Sequence, residues 1–216
     1  MRKLHTALAG VTAAALLSFT AVQAQNGTSG EPGTANASLV TAGTYSADPG
    51  HTLIAWRVNH FGFSDYFGLF GDITGTLTLD PVKLEASQLD VTIPVSKITT
   101  ANAGLTAHLL KPGENGTAPD FFGANPANAT FKSTQVRPTG NNEALIIGNL
   151  TLNGVTKPVS VMASFTGAGA NPMTKKETVG FKGWARIKRS DFNIKYALPM
   201  VTDTVDLDIS AAFEKQ

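Results

Sequence analysis

Few residues of this chain have the type and spacing that chemistry requires. Three histidines, His51, His60 and His108, follow the N-terminal region, and their separations match no local metal-binding signature. The sequence contains neither the nucleophile motif Gly-x-Ser-x-Gly nor the phosphate-loop motif Gly-x-x-x-x-Gly-Lys, and it has no cysteine. We therefore predict a protein that is not an enzyme and that holds no cofactor and no metal. A metal site that the fold assembles from the three histidines is the alternative.

A basic stretch near the C-terminus has the composition of an anion-binding surface. Cations and aromatic residues alternate in it: Trp184, Arg186, Lys188, Arg189, Phe192, Lys195 and Tyr196. Such groups bind phosphates, and they also occur on platforms for single-stranded nucleic acid. However, 17 basic against 16 acidic residues give a net charge of only +1, without the basic surplus of nucleic-acid-binding proteins. We predict no nucleic-acid partner, and we take Arg186, Arg189 and the strand-end residue His60 as candidate contacts for a ligand head group.

The elements that must position these residues are β-strands. From Thr44 onward apolar and polar residues alternate with a period of two, which predicts strands with one buried face. The expected strands cover 51–59, 69–80, 87–96, 129–137, 143–152, 155–166, 178–189 and 205–213. Asn153-Gly154 between two of them predicts a tight hairpin. The segment 99–128 interrupts the series, and we expect a short helix within 99–110 and a helical turn at 120–122.

These strands predict an all-β fold. No long amphipathic helix is visible, which argues against a parallel βαβ sheet. Segments 69–80 and 155–166 are each about a dozen residues long, which exceeds the usual strand of a β-sandwich. Long strands in meander order favour an eight-stranded antiparallel up-and-down barrel.

The inward face of such a barrel mixes large and small residues. The large ones include Trp56, Phe131, Phe165, Phe181 and Phe213, and the small ones are Gly71, Gly75, Gly148, Ala163, Gly183, Ala185 and Ala211. Alternating sizes can fill a lumen completely, or the small residues can leave an apolar tunnel. The aromatic loop at 59–64 is either a plug of the barrel or a gate for a ligand. Composition leaves both pairs of alternatives open.

The N-terminus has the features of an export signal. Arg2 and Lys3 precede an apolar run, and Val22-Gln23-Ala24 gives a small-x-small cleavage pattern. We predict a cleaved signal peptide over 1–24, export to the periplasm and no stable membrane anchor. Residues 25–43 are small and polar, which predicts a flexible tail. The folded domain is then expected over 44–216.

Several segments resemble the YceI-like family of polyisoprenoid-binding proteins. The matching segments are Asp48-Pro49-Gly50-His51-Thr52, Asn59-His60-Phe61-Gly62-Phe63-Ser64, Asp120-Phe121-Phe122, 148–159 and Arg189-Ser190-Asp191-Phe192. The resemblance spans about 45–213. Asn153 and Asn193 depart from it, at positions where the family more often has a basic residue and glycine, respectively.

The resemblance implies a lipocalin-like barrel that holds a polyisoprenoid or similar long-chain lipid, without catalysis, and that can form a homodimer. The residues that we predict to contact the lipid in the lumen are Ile54, Trp56, Val58, Phe63, Phe70, Ile73, Leu77, Phe131, Phe165, Phe181, Phe192 and Phe213. The alternative is a structural or interaction barrel with a filled lumen.

Overall fold

The computed structural model of the chain describes residues 30–140 and 142–216. The predicted signal peptide and residues 25–29 of the predicted tail lie outside this part. The strands are β1 (Gly43–Ala47), β2 (Leu53–His60), β3 (Ser64–Phe70), β4 (Thr74–Leu79), β5 (Gln88–Ile93), β6 (Thr99–Thr100), β7 (Ala129–Gly140), β8 (Glu143–Leu152), β9 (Val155–Ala170), β10 (Glu177–Lys188) and β11 (Thr204–Lys215). One α-helix, α1 (Ala103–Leu109), and four short 3-10 helices (Ala37–Leu39, Leu84–Ala86, Val95–Lys97 and Arg189–Phe192) complete the described elements.

The strands form one antiparallel sheet that closes on itself. Eight of them make the ring, in the order β1-β4-β5-β7-β8-β9-β10-β11, and β11 pairs with β1 to close it. Strands β2, β3 and β6 extend the sheet from β11, since β2 pairs with β11, β3 with β2 and β6 with β3. The predicted eight-stranded antiparallel barrel is confirmed.

The segment predicted as one strand over 69–80 is two strands. β3 pairs with β2 and β4 pairs with β1, so the wall of the barrel bends where the chain passes between the two pairs. Asp72 takes a positive φ of 53° at this bend, and Ile73 turns inward and is buried. Period-two alternation continued across the bend, so the sequence pattern gave no sign of it.

The interruption between β5 and β7 is partly as predicted. The expected helix exists as α1, and the Asn102 side chain caps it by accepting a hydrogen bond of 2.9 Å from the Leu105 backbone N–H. The helical turn expected at 120–122 is absent, and these residues form bends. Phe121 and Phe122 are held instead by packing against buried residues of the barrel.

One end of the barrel is filled by side chains, and we call it the closed end. It includes the β2–β3 and β8–β9 hairpins, α1 and the loop after β10. Its buried residues are Trp56, Ile98, Leu109, Phe192, Ile194 and Val205. The predicted hairpin at Asn153-Gly154 is confirmed, with φ of 50° and 75°. The Asn153 amide also donates a hydrogen bond of 3.0 Å to the carbonyl of Phe192, which ties the hairpin to the loop after β10.

Part of the segment expected to be a free tail lies against the barrel. The backbone N–H groups of Thr34 and Ala168 each donate to the carbonyl of the other, at 3.0 and 2.9 Å. The difference from expectation has a simple reason, since backbone pairing requires no apolar side chains. Within the described residues, no helix has both the length and the apolar character needed to cross a membrane.

Candidate functional site

The barrel encloses an apolar cavity of about 370 Å³. Its walls come from all eight strands of the ring except β1, together with residues of β2 and of the 3-10 helices at Ala37–Leu39 and Leu84–Ala86. On β9 alone, the lining residues run from Val159 to Phe165, which at about 3.3 Å per residue corresponds to roughly 20 Å along the tilted strand. The cavity is therefore long and narrow rather than spherical.

Small residues keep the lumen open. Ala144, Ala163 and Gly183 lie side by side on β8, β9 and β10, and all three line the cavity. Ala185 on β10 and Ala211 on β11 also line the cavity with short side chains. The backbone ladders fix the radius of the ring, so the space that these residues leave is not lost by collapse.

Not every small residue leaves space. A Cβ atom added at Gly148 would lie 2.5 Å from the ring of Phe131, so that position is already filled by an aromatic neighbour. Gly75 sits where the backbone of Asp90 approaches closely, and a Cβ atom there would lie 2.2 Å from its carbonyl oxygen. Neither glycine therefore adds open space to the lumen: Gly148 packs against Phe131, and Gly75 packs against the backbone of β5.

The cavity opens at the end of the barrel opposite the closed end. Seven of its lining residues are exposed to solvent, and five of these lie at the start of β5 or in the β7–β8 hairpin: Gln88, Pro138, Gly140, Asn142 and Glu143. The other two are Ala37, in the 3-10 helix before β1, and Lys182 on β10. We call this the open end.

Polar groups inside the lumen are satisfied by the protein itself. The Thr52 hydroxyl donates to the carbonyl of Ala212 and accepts from its N–H, both at 3.2 Å. The Ser87 hydroxyl accepts a hydrogen bond of 3.2 Å from the Asp80 N–H. The other polar or charged lining residues are exposed: Gln88, Asn142, Glu143 and Lys182. The interior thus suits an apolar chain, and polar parts of a ligand would be solvated at the open end.

Seven of the twelve predicted lumen residues line the cavity: Ile54, Ile73, Leu77, Phe131, Phe165, Phe181 and Phe213. Phe181 packs edge to face with two other rings, with centroid distances of 5.8 Å to Phe165 and 6.3 Å to Phe213. Their contact with a lipid remains a prediction.

The other five do not line the cavity. Trp56, Val58, Phe70 and Phe192 point inward as predicted, but they pack with the residues of α1 and the connecting loops at the closed end. Phe63 was wrongly placed in the lumen, because its side chain is 91% exposed at the tip of the β2–β3 hairpin. The loop at 59–64 is therefore neither a plug nor a gate of this cavity.

The three head-group candidates are not at the mouth of the cavity. Arg186 lies on the outer face, where it donates to Asp206 at 2.6 Å, and this hydrogen bond raises its pKa. His60 is exposed at the closed end, with its ring edge-on to Phe61. Strand alternation predicts which side chains point inward, but it does not predict which end of the barrel is open.

Arg189 has a structural role instead. It is only 5% exposed and donates to the backbone carbonyls of Thr202, Ile194, Tyr196 and Val201 at 2.8–3.2 Å. Burial lowers the pKa of its guanidinium group. These bonds fasten the long loop between β10 and β11 over the closed end.

The histidines are dispersed. The His51 ring is 2.7 Å from Asp48, and the His108 ring is 2.8 Å from Asp120, at separate places on the surface. Among residues 30–140 and 142–216, no group of three or more histidine, aspartate or glutamate side chains is placed to hold a metal ion.

Sequence reasoning missed several lining residues. Val159 and Val161 belong to the correctly predicted alternating strand 155–166, and the same alternation that identified Phe165 would have found them. Ala37 and Val40 also line the cavity, although they precede the predicted domain. No periodic pattern in the sequence points to these two.

Comparisons with known proteins agree with this architecture. The profile of the YceI-like domain matches residues 45–213. Protein YceI of Escherichia coli O157:H7 is 39% identical over 161 residues, covering 74% of this chain and 80% of that protein. The crystal structure of Burkholderia cenocepacia BcnA has a TM-score of 0.64 at 24% identity, covering 77% of this chain and 98% of that one.

A polyisoprenoid binding domain from Saccharophagus degradans has a TM-score of 0.57 at 14% identity, covering 80% of this chain and 98% of that domain. At these identities the two solved structures establish the fold. The sequence matches go further, and with the closed barrel and its apolar lumen they lead to one assignment: this chain belongs to the YceI-like family.

Proposed function

We propose that this protein is a non-catalytic carrier that holds a long-chain lipid, such as a polyisoprenoid, in the lumen of its barrel. It acts in the periplasm, after export by the signal peptide expected over 1–24, in transport or storage of the lipid. The single observation that carries the proposal is the open, apolar cavity of about 370 Å³.

The chemistry of the cavity supports an apolar chain as the ligand. Each buried methylene contributes about 0.8 kcal/mol to binding, so a chain of several isoprene units binds tightly without polar contacts. Val161, Ile209 and Phe181 are only half-buried although they face the inside, because the cavity leaves them accessible. Covering these surfaces is the main gain that a bound lipid would bring.

The Saccharophagus degradans domain supports the same class of ligand, since a barrel of this fold is described there as polyisoprenoid-binding. The open space beside Val161, Phe181 and Ile209 favours a lipid carrier over the alternative of a structural or interaction barrel with a filled lumen.

Native mass spectrometry tests the proposal directly. Gently purified protein should carry a lipid adduct, or should take up a prenyl alcohol such as geranylgeraniol on titration. Phe181→Asp places a charge on the apolar wall of the lumen and should abolish retention. The matched control Phe67→Asp changes a residue that is 58% exposed on the outer face and should retain the lipid, as should Lys188→Ala.

Circular dichroism must show that Phe181→Asp still folds. A folded wild-type protein that is free of lipid and takes up none would refute the proposal. So would equal retention by folded Phe181→Asp and Phe67→Asp.

A further inference from the structure

We propose that residues 34–42, here called the strap, are part of the ligand site and control how fast a lipid enters and leaves the lumen. This inference rests on the proposed lipid-binding function. The strap precedes residues 45–213, the part of the chain that matches the YceI-like domain.

The first anchor of the strap is a backbone pairing with β9. The ladder between β8 and β9 ends at Glu143 and Ser164, but β9 continues to Ala170. The strap takes the vacant place beside this extension, where Thr34 exchanges two backbone hydrogen bonds with Ala168. Gly169 permits the close approach, since a Cβ atom there would lie 2.0 Å from the carbonyl oxygen of Pro32.

The second anchor is a cluster around Glu177 at the start of β10. Its carboxylate accepts hydrogen bonds from the Thr41 N–H at 2.8 Å, the Thr41 hydroxyl at 2.6 Å and the Tyr45 hydroxyl at 2.6 Å. The ammonium group of Lys215 lies 3.6 Å from the same carboxylate and donates to the Ala42 carbonyl at 3.3 Å. Glu177 is therefore the positioning residue of the strap.

The middle of the strap faces the lumen. Ala37 and Val40 line the cavity at its open end, and Val40 packs against the cluster that contains Leu77 and Phe213. Both side chains would touch a bound chain at the point where it leaves the barrel.

The bonding of this middle part is local, which lets it move as a unit. The Asn36 side chain caps the short 3-10 helix by accepting from the Ser38 N–H, and the Val40 N–H donates to the Ala37 carbonyl. Residues 35–39 are all exposed. Since β1 fixes the C-terminal end of the strap to the barrel, detaching the Thr34 pairing is the step that would widen the mouth.

A reversible cross-link tests this step. The chain has no cysteine, so Thr34→Cys with Ala168→Cys creates a single possible disulfide. Residues that exchange both backbone hydrogen bonds have Cα atoms about 5.5 Å apart, which suits a disulfide. The matched control is Thr151→Cys with Thr156→Cys, a directly paired position at the closed end.

The probe is cis-parinaric acid, whose fluorescence rises in apolar surroundings, measured by stopped-flow mixing. Oxidised Thr34→Cys/Ala168→Cys should take up and release the probe at least about tenfold more slowly than its reduced form. This change in rate corresponds to about 1.4 kcal/mol in activation free energy. The oxidised control pair should exchange the probe at the wild-type rate. Equal rates in the oxidised and reduced strap variant would overturn the strap proposal, whereas failure of wild-type protein to bind the probe or geranylgeraniol would overturn the proposed function.

A second variant keeps the test decisive if the cysteine pair fails to fold. Glu177→Ala removes the hydrogen bonds of the second anchor and should release the probe roughly tenfold faster, since bonds to a charged group contribute about this much. Glu177→Gln retains an acceptor and should fall between Glu177→Ala and wild type. A variant that is less stable but exchanges the probe at the wild-type rate would show a merely structural role and refute the proposal.

Discussion

Replacing Ala163 with leucine should weaken ligand binding without weakening the fold. Ala163 lies between Ala144 and Gly183 in the row of small residues that keeps the lumen open, and its side chain faces the cavity. Leucine adds three carbon atoms there, which displace about three methylene groups of a bound chain. At about 0.8 kcal/mol each, the loss is about 2.4 kcal/mol, or about 60-fold in Kd.

The stability of ligand-free Ala163→Leu should be higher than that of wild type, or unchanged. The added carbons occupy space within a cavity of about 370 Å³, and filling a cavity recovers packing that the empty space lacks. The free energy of unfolding in urea should therefore be equal to or above that of wild type. Overpacking would lower it instead, so the urea measurement separates the two causes of weaker binding.

Fluorescence titration with cis-parinaric acid gives the Kd, and Ala55→Leu is the control. Ala55 alternates with the inward residues Ile54 and Trp56, so its side chain is on the outer face of β2. Ala55→Leu should bind the probe as wild type does. The reasoning fails if Ala163→Leu, shown to be folded, binds as tightly as Ala55→Leu.

Two further predictions concern the ends of the barrel. Arg189→Met leaves four backbone carbonyls without their donor and should lower the free energy of unfolding by about 3 kcal/mol in urea, whereas exposed Lys188→Met should change it by less than about 0.5 kcal/mol. At the open end, burial tends to raise the pKa of Glu177, but hydrogen bonds from Thr41 and Tyr45 and attraction to Lys215 lower it below 4.5. The pKa of Tyr45 is raised from 10.0 to about 12 by burial and by its hydrogen bond to Glu177. Glu177 therefore stabilises the fold above about pH 4.5 and loses this effect in acid, and Tyr45 stabilises it below pH 10 and loses this effect as the pH rises towards 12. Thermal unfolding from pH 3 to 11 should show Glu177→Gln losing the acid-side part of this dependence, and an unchanged acid limb would contradict the assignment.

Most of the fold could be predicted from the sequence because one face of every long strand is apolar. Alternation predicted β8 over 143–152 to the residue, and it predicted β7 and β10 to within a few residues. The hairpin at Asn153-Gly154 followed from the positive φ that a two-residue turn requires. The bend that divides 69–80 was not predictable in this way, because the alternation from Leu69 through Ile73 to Leu77 runs across it unbroken in the sequence. In the structure the inward positions shift by one residue at the bend, since Leu69 is 42% exposed whereas Leu77 is buried.

The candidate site was less accessible from sequence than the fold. Strand phase states which side chains point inward, and it correctly selected Phe131, Phe165, Phe181 and Phe213. It does not state how far along the barrel the lumen stays empty. Trp56 and Phe192 have the correct phase, yet residues that are distant in sequence, such as Leu109 and Ile194, fill the space around them. The open end is the one that the connecting segments do not cover. Tertiary contacts, which strand phase does not describe, decide where these segments pack.

The unequal ends of the barrel also explain why an empty lumen is tolerable. An apolar cavity of about 370 Å³, if it were sealed and dry, would cost at most about 9 kcal/mol at roughly 24 cal/mol per Å³, which is comparable with the whole stability of a typical domain. A sealed barrel of this sequence would therefore be marginal, whereas an opening admits solvent and limits the penalty. The closed end concentrates the dense packing around Phe192 and the carbonyl bonds of Arg189, and so it supplies stability that the lumen does not. A lipid that fills the lumen recovers part of the remaining penalty, and that recovered free energy is the physical basis for its retention.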